Sequence, residues 1–387
     1  MRWISIAHLY QPANVDGYII KEATERSYLR LLRAIEEHPN LHFTLNITGC
    51  LFVRWEELGY SWIVSRLIQL IKKGQVELMG SAAYHALLPL VPLKEAKRQI
   101  IDNEEILKKY LGRHYQKPKG FFFPEMAYSE EVAKLAKKLG YEWTVLDEIA
   151  LTGRLGKADF GKTYLDIGSG LKVIIRSRAI SNSYVPDTII SLLSCPDYPS
   201  LVITAVDGEL YGLRHEDPTG ELEKLAARSD IQTLTVSKFI KNLPCQKQTI
   251  LPCHWNSTEY DLKKGNAYSL WYDPRNKLQM KLWDLFRLAY NTVEQNKRDK
   301  HYTYARWHLV RGMASCTFWW ASAKDFRVFG PLSWSPDEIE RGVNELVRAV
   351  RSLDSPRTRN IKIRAEKLVH QIKLEIWHKH WKKYWKN

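Results

Sequence analysis

Short, almost uniformly apolar runs alternate with amphipathic stretches through the first two-thirds of the chain, and this pattern leaves few folds open. The apolar runs fall at residues 4–7, 43–47, 76–79, 120–123, 143–146, 172–175 and 201–205. Helical periodicity occupies 21–37, 61–73, 93–111 and 129–139, with Ile63, Leu67 and Ile71 at spacing four. Strands separated by helices imply βαβ units and a parallel sheet. A strand that is apolar on both sides is covered by helices on one face and by a packed interior on the other. Seven such units predict closure into a barrel. After about Ser257 the pattern becomes helical, at 276–296, 304–321, 336–353 and 358–384, with Leu278, Leu282, Leu285 and Leu288 at spacing three and four. The expected architecture is α/β, a distorted (β/α)7 barrel over residues 1–260, followed by an α-helical domain over 261–387 packed on it.

Composition narrows the class. A chain of 387 residues with 45% hydrophobic content can bury a core without disulfide or metal staples. Cys50, Cys195, Cys245, Cys253 and Cys316 form no CxxC pair, which fits a reducing cytoplasm better than a disulfide framework or a zinc ribbon. No HExxH motif, His/Cys cluster or Gly-rich phosphate loop is present, so no metal or other cofactor is expected. The start of the chain reads as a strand, and no apolar stretch has the length of a membrane span. Net charge is +15. About half of the excess lies beyond Ser355, where ten Lys and Arg face two Glu. A basic tail of this kind can bind polyanions, but a solvated helix face is the favoured reading, and nucleic acid ranks last among the partners considered.

In a parallel barrel the chemistry gathers at the C-terminal ends of the strands. The residues just past the apolar runs are His8 to Pro12, Gly80 to His85, Pro124-Glu125, Asp147-Glu148, Arg176 to Arg178, and Asp207-Gly208-Glu209. Glu125 is the most unusual, a carboxylate following three Phe and a Pro; it is either at a site or a partly buried structural acceptor. Asp207 follows a five-residue apolar run and precedes Gly208, which also suits an ordinary turn Asp. Two carboxylates on one rim are what glycosidic cleavage requires, one to attack the anomeric carbon and one to protonate the leaving oxygen.

With these residues in view, the chain resembles family 57 of the glycoside hydrolases, the retaining α-amylase, glucanotransferase and branching-enzyme group. The segment His8-Leu9-Tyr10-Gln11-Pro12 is similar to the family's His-x-His-Gln-Pro motif, with Tyr10 in place of the second His. Residues 80–89 resemble its second motif, Phe123-Pro124-Glu125-Met126 its third, and Asp207-Gly208-Glu209-Leu210-Tyr211-Gly212 its fourth. Residues 176–182 and 255–274 are similar to its Arg-rich segment and post-barrel linker. The fifth motif departs: Ser315-Cys316-Thr317-Phe318-Trp319-Trp320 lacks the expected Asp. The resemblance implies Glu125 as nucleophile and Asp207 as acid/base on an α-1,4-glucan. Apolar walls or Glu209 would help Asp207 hold its proton, and His8, Arg176 or Arg178 would keep Glu125 ionised. His8, Gln11 and His85 are expected to meet sugar hydroxyls. Glu209 and Asp147 either bind sugar, orient the acid, or pair with an Arg. Trp255, Trp319 and Trp320 are candidate stacking walls, with core packing an equal reading. The changes at Tyr10 and Cys316 keep open a second reading, a catalytically silent glycan-binding member of the same fold.

Overall fold

The computed structural model describes residues 1–323 and 334–384. They divide into two compact units. The first comprises Met1–Gln11, Asp16–Ala83 and Leu87–Ala267; the second comprises Pro12–Val15, Tyr84–Ala86 and the chain from Tyr268 onward.

The first unit is built on β1 (Arg2–Leu9), β2 (Phe43–Ile47), β3 (Val76–Gly80), β4 (Gly120–Phe121), β5 (Trp143–Asp147), β6 (Thr163–Asp166), β7 (Lys172–Arg176), β8 (Leu201–Asp207), β9 (Gln232–Thr233) and β10 (Cys245–Gln248). Seven of these run parallel in the order β7-β5-β4-β3-β2-β1-β8. The ring closes where Ser177, just past β7, donates its N–H to Ile203 O on β8 at 2.8 Å. At the start of β7 that same edge carries β6, antiparallel, with β10 parallel beyond it. The seam therefore meets at one end and is splayed at the other, and the result is a distorted (β/α)7 barrel, as the strand pattern predicts.

Side chains that alternate along the strands fill the interior. Ile4 and Ile6, Trp143 and Val145, Ile174, and Ile203 and Ala205 form one cluster with Phe122 and Met126. Val236, Phe239 and Ile240 join it from beside β9, which pairs with the first residues of β1, so they close the N-terminal end of the barrel. A Cβ at Gly120 would overlap the indole of Trp143, so glycine here serves close approach of β4 to β5.

All seven anticipated strands are present, most of them a residue or two longer than anticipated at one or both ends, while β4 is two residues shorter. Phe122 and Phe123 leave the β4 ladder because the chain turns immediately afterwards, although Phe122 N still donates to Gly80 O at 2.8 Å. β8 runs on to Asp207 itself. The strands β6, β9 and β10 and the helices Gly49–Glu57, Val185–Leu193 and Glu221–Ala226 were not anticipated. β10, Cys-Gln-Lys-Gln, is largely exposed and carries no apolar pattern to read.

The second unit is helical, with Lys277–Gln295, Tyr302–Gly312, Ser315–Trp319, Pro336–Arg351 and Arg359–Tyr384 packed on one another. Asn276 caps the first by accepting from Gln279 N, and Ser335 caps the fourth by accepting from Glu338 N, with Pro336 in the first turn. Trp283 and Phe318 stack in its core, centroids 3.9 Å apart. The stretch expected as one helix over 304–321 is two, because Ala314 takes an extended backbone and bridges to Ala86. Among the described residues no helix is long and apolar enough to cross a membrane.

Candidate active site

Parallel pairing sets Asp207 of β8, His8 of β1 and Asn46 of β2 side by side on one rung. His8 is buried, and its Nδ1 lies 2.7 Å from Asn46 Oδ1. Burial lowers the imidazole pKa, against the opposing pull of Asp207. A neutral ring beside an accepting amide oxygen carries its proton on Nδ1, which makes Nε2 the acceptor. Phe122 stacks on this ring at 4.6 Å, Tyr10 lies nearly parallel to it at 5.8 Å, and Trp255 meets it edge-on. Tyr10, at the position where the resemblance expects a second His, is thus a buried ring in an aromatic stack.

Glu125 lies in the turn Pro124–Met126 that follows β4, and it is half-buried. Its φ is +62° and that of Met126 is +49°. Two successive non-glycine residues in the left-handed region cost about 1–3 kcal/mol each, and such strain gathers at functional sites. The surroundings hold the turn in place. Trp255 N donates to Glu125 O at 3.2 Å, Tyr128 N donates to Cys253 O at 2.8 Å, and Met126 is fully buried in the barrel interior. The backbone at 253–255 is therefore a template for the Glu125 turn.

Asp207 ends β8 with its side chain 21% exposed, and its Oδ2 accepts from Arg214 Nη1. Glu209, two residues on, is buried. Its Oε1 accepts from Tyr28 Oη and from Gln11 Nε2, the latter at 2.7 Å, and its backbone oxygen accepts from Ser27 Oγ at 3.1 Å. Ser27 and Tyr28 end a π-helical turn, Thr24–Tyr28, inside the first long helical stretch. A π-turn widens the helix by one residue, and here two neighbouring side chains both reach Glu209. Burial raises the Glu209 carboxyl to about 7, Arg214 opposing the shift and Asp207 adding to it.

A raised carboxyl has a stability signature. The folded chain binds this proton more tightly than the unfolded chain does, so the contribution is complete below about pH 4.5 and is lost as pH rises through about 7. Relative to Glu209→Gln, the native protein should lose up to about 3 kcal/mol of unfolding free energy across that window. Urea denaturation at pH 4.5, 6 and 8 reads this directly. Parallel curves for the two proteins would mean that Glu209 does not hold the proton.

Asp147, Arg176 and Arg178 are brought together, but on one another. Asp147 is fully buried; its Oδ2 accepts from Arg176 Nε at 2.9 Å, and its Oδ1 from Arg178 Nη2 at 2.6 Å. Arg176 also donates to Ala205 O at 2.8 Å and Trp255 O at 2.9 Å, and its guanidinium lies over the Trp255 ring. Arg178 donates to Ser257 O at 2.7 Å. The three side chains anticipated as sugar contacts or as a cation for Glu125 form a clamp. It ties β5, β7 and β8 to the loop that templates the Glu125 turn.

His85, Trp319 and Trp320 belong to the second unit. His85 has φ +55°, its Nδ1 lies 2.9 Å from Ser315 Oγ, and its backbone oxygen accepts from Ser315 N. Trp319 and Trp320 are half-buried and meet edge to face at 4.5 Å. Among the described residues no group of three His, Cys, Asp or Glu side chains is placed to hold a metal ion. Sequence reasoning missed Asn46, Tyr28 and Arg214. Asn46 left a trace as a polar residue inside an apolar strand. Tyr28 and Arg214 left none, since a π-turn and a returning loop bring them in.

A sequence model described as glycosyl hydrolase family 57 matches residues 4–252 of the chain. An α-amylase of Pyrococcus abyssi is 27% identical over 221 residues, 53% of this chain and 32% of that protein. A 4-α-glucanotransferase of Thermococcus litoralis is 29% identical over 141 residues, 36% of this chain and 21% of that protein. The match thus spans under a third of the length of these relatives. Among solved structures, a family 57-type branching enzyme of Pyrococcus horikoshii superposes with a TM-score of 0.71 at 16% identity, covering 97% of this chain and 96% of that one. The Thermococcus litoralis 4-α-glucanotransferase structure gives 0.69 at 19% identity, covering 92% of this chain and 60% of that one. At these identities the structural likeness concerns the fold.

Proposed function

The chain belongs to glycosyl hydrolase family 57, and from that premise we propose that it cleaves or transfers α-1,4-linked glucans by double displacement, with Glu125 as nucleophile and Asp207 as acid/base. The observation that carries this reading is Glu125 itself, a carboxylate held on a strained left-handed turn by a dedicated loop. The α-amylase and 4-α-glucanotransferase names of its relatives support the substrate class.

In this mechanism Glu125 attacks the anomeric carbon while Asp207 protonates the departing oxygen. Asp207 then takes a proton from the acceptor as it attacks the glycosyl-enzyme. Water as acceptor gives hydrolysis, and a sugar hydroxyl gives transfer. His8 Nε2 would accept from a sugar hydroxyl, and Trp255 would border the ring. The chemistry is assigned to residues 1–260, with 261–387 as a separate helical domain. All five cysteines are free, which fits a reducing, cytoplasmic setting.

The test is product analysis after incubation with maltoheptaose and with amylose. Shorter chains indicate hydrolysis, and redistributed chain lengths indicate transfer. A folded protein that leaves both substrates unchanged removes the α-glucan enzyme from consideration. Tyr10 in the aromatic stack and the Arg214 contact on Asp207 favour the silent glycan-binding reading in that event, and retention on an amylose gel without turnover would identify it.

A further inference from the structure

Gly212 has φ +135°, and a Cβ there would overlap Arg26 O, so the chain passes hard against the first helical stretch at a point only glycine can occupy. Directly afterwards Leu213 N and Arg214 N both donate to Glu209 O, at 3.1 and 2.8 Å, and Leu213 N also donates to Ser27 Oγ at 2.9 Å. This turn carries Arg214 back over the end of β8. Its side chain meets Asp207 from the solvent side, being 59% exposed while the Asp207 side chain is 21% exposed. The opposite side of Asp207 faces the barrel, where His8 of β1 and Arg176 of β7 both sense its charge. Glu209 lies beneath, with Tyr28 of the π-turn beside it, and Arg214 acts on both.

We propose that Arg214 is a positioning residue for Asp207, holding the carboxylate from the solvent side and giving way when a glycosidic oxygen takes its place. The inference rests on Asp207 being the acid/base. The geometry supports an exchangeable partner over a structural one. Arg176 is buried, the Arg178 side chain is only 12% exposed, and both are bonded to backbone oxygens as well as to a carboxylate. Arg214 instead sits on a surface turn with its side chain 59% exposed, although the attraction of Asp207 and Glu209 raises its own pKa. It is also the cation shared by two neighbouring carboxylates, so removing it leaves a like-charge pair that holds its proton more tightly.

The experiment compares Arg214→Met and Arg214→Lys with the native protein in two ways. The first is the pH profile of kcat/KM on maltoheptaose. Its alkaline limb should move up by about one pH unit in Arg214→Met, as loss of a neighbouring opposite charge requires, and return towards the native position in Arg214→Lys. A residue that merely held the loop would lower the rate without moving the limb, and lysine would restore nothing. The second is the titration of 13C-labelled carboxyl groups in the full chain, which needs no turnover. The Glu209 carboxyl, which burial raises to about 7, should titrate higher in Arg214→Met than in the native protein. An unmoved limb and an unmoved titration overturn the proposal. Absence of glucan turnover by the native protein would overturn the functional reading instead, and the carboxyl titration then decides on Arg214 alone.

Discussion

Glu125→Ala should turn over maltoheptaose at least about a thousandfold more slowly than the native protein, a loss of about 4 kcal/mol of transition-state stabilisation. The size follows from the role proposed. Without the carboxylate no glycosyl-enzyme forms, and binding of the sugar alone does not replace the bond. The fold should be little affected, since the Glu125 side chain is half-buried and its backbone contacts, Glu125 O with Trp255 N among them, do not involve it. Alanine must still adopt φ near +62°, as Glu125 already does. A small anion gives the decisive control. Azide can enter the space left by the side chain and attack the anomeric carbon from the same face. It should restore part of the cleavage and leave a glycosyl azide of inverted configuration. A variant that retains a tenth of the native rate, or one rescued by azide without such a product, would take the nucleophile role away from Glu125.

Asp147→Ala should be the most destabilising single substitution near the site, at about 3–5 kcal/mol. Asp147 is wholly buried, and its carboxylate answers two guanidinium groups that are themselves nearly buried. Burial already pushes the Arg176 pKa below its ordinary value, and Asp147 is the main opposing influence. Removing the carboxylate leaves two cations uncompensated in a dry site, a far larger penalty than losing a surface ion pair. Both arginines also hold the carbonyls of Trp255 and Ser257, so the loop under Glu125 should loosen as well. Urea denaturation measures the first effect, and hydrogen exchange over 253–257 measures the second. A double variant, Asp147→Leu with Arg176→Met, should recover part of the stability, because it removes charge from both sides. If Asp147→Ala unfolds within about 1 kcal/mol of the native protein, the clamp is not what holds this loop.

The two acidic strand ends looked alike in the sequence. Asp147 follows the apolar run 143–146 just as Asp207 follows 201–205, and nothing local says that the first is buried under two arginines and the second faces solvent. Glu125 was legible because a lone carboxylate after three phenylalanines is unusual in itself. Its left-handed φ was not, since neither Pro124 nor Met126 demands it. Glu209 was anticipated as sugar ligand, acid-orienting group or arginine partner. In the structure it is a buried carboxyl held by Tyr28 and Gln11, residues 181 and 198 positions away, with Arg214 acting on it as well.

What the sequence determined by itself was the set of barrel strands and the polar groups at their ends. Whether a run is buried on one face or two is written in its own apolar pattern, and a parallel strand carries whatever follows it to the same rim. What only the tertiary structure decided was the partner of each polar group. Arg178 on Asp147, Arg214 on Asp207 and Tyr28 on Glu209 are set by strand register, by a π-turn and by a glycine-enforced return of the chain. The charge, burial and proton affinity of a carboxylate depend on such neighbours, most of them far away along the chain, and these come within reach only once the barrel has closed.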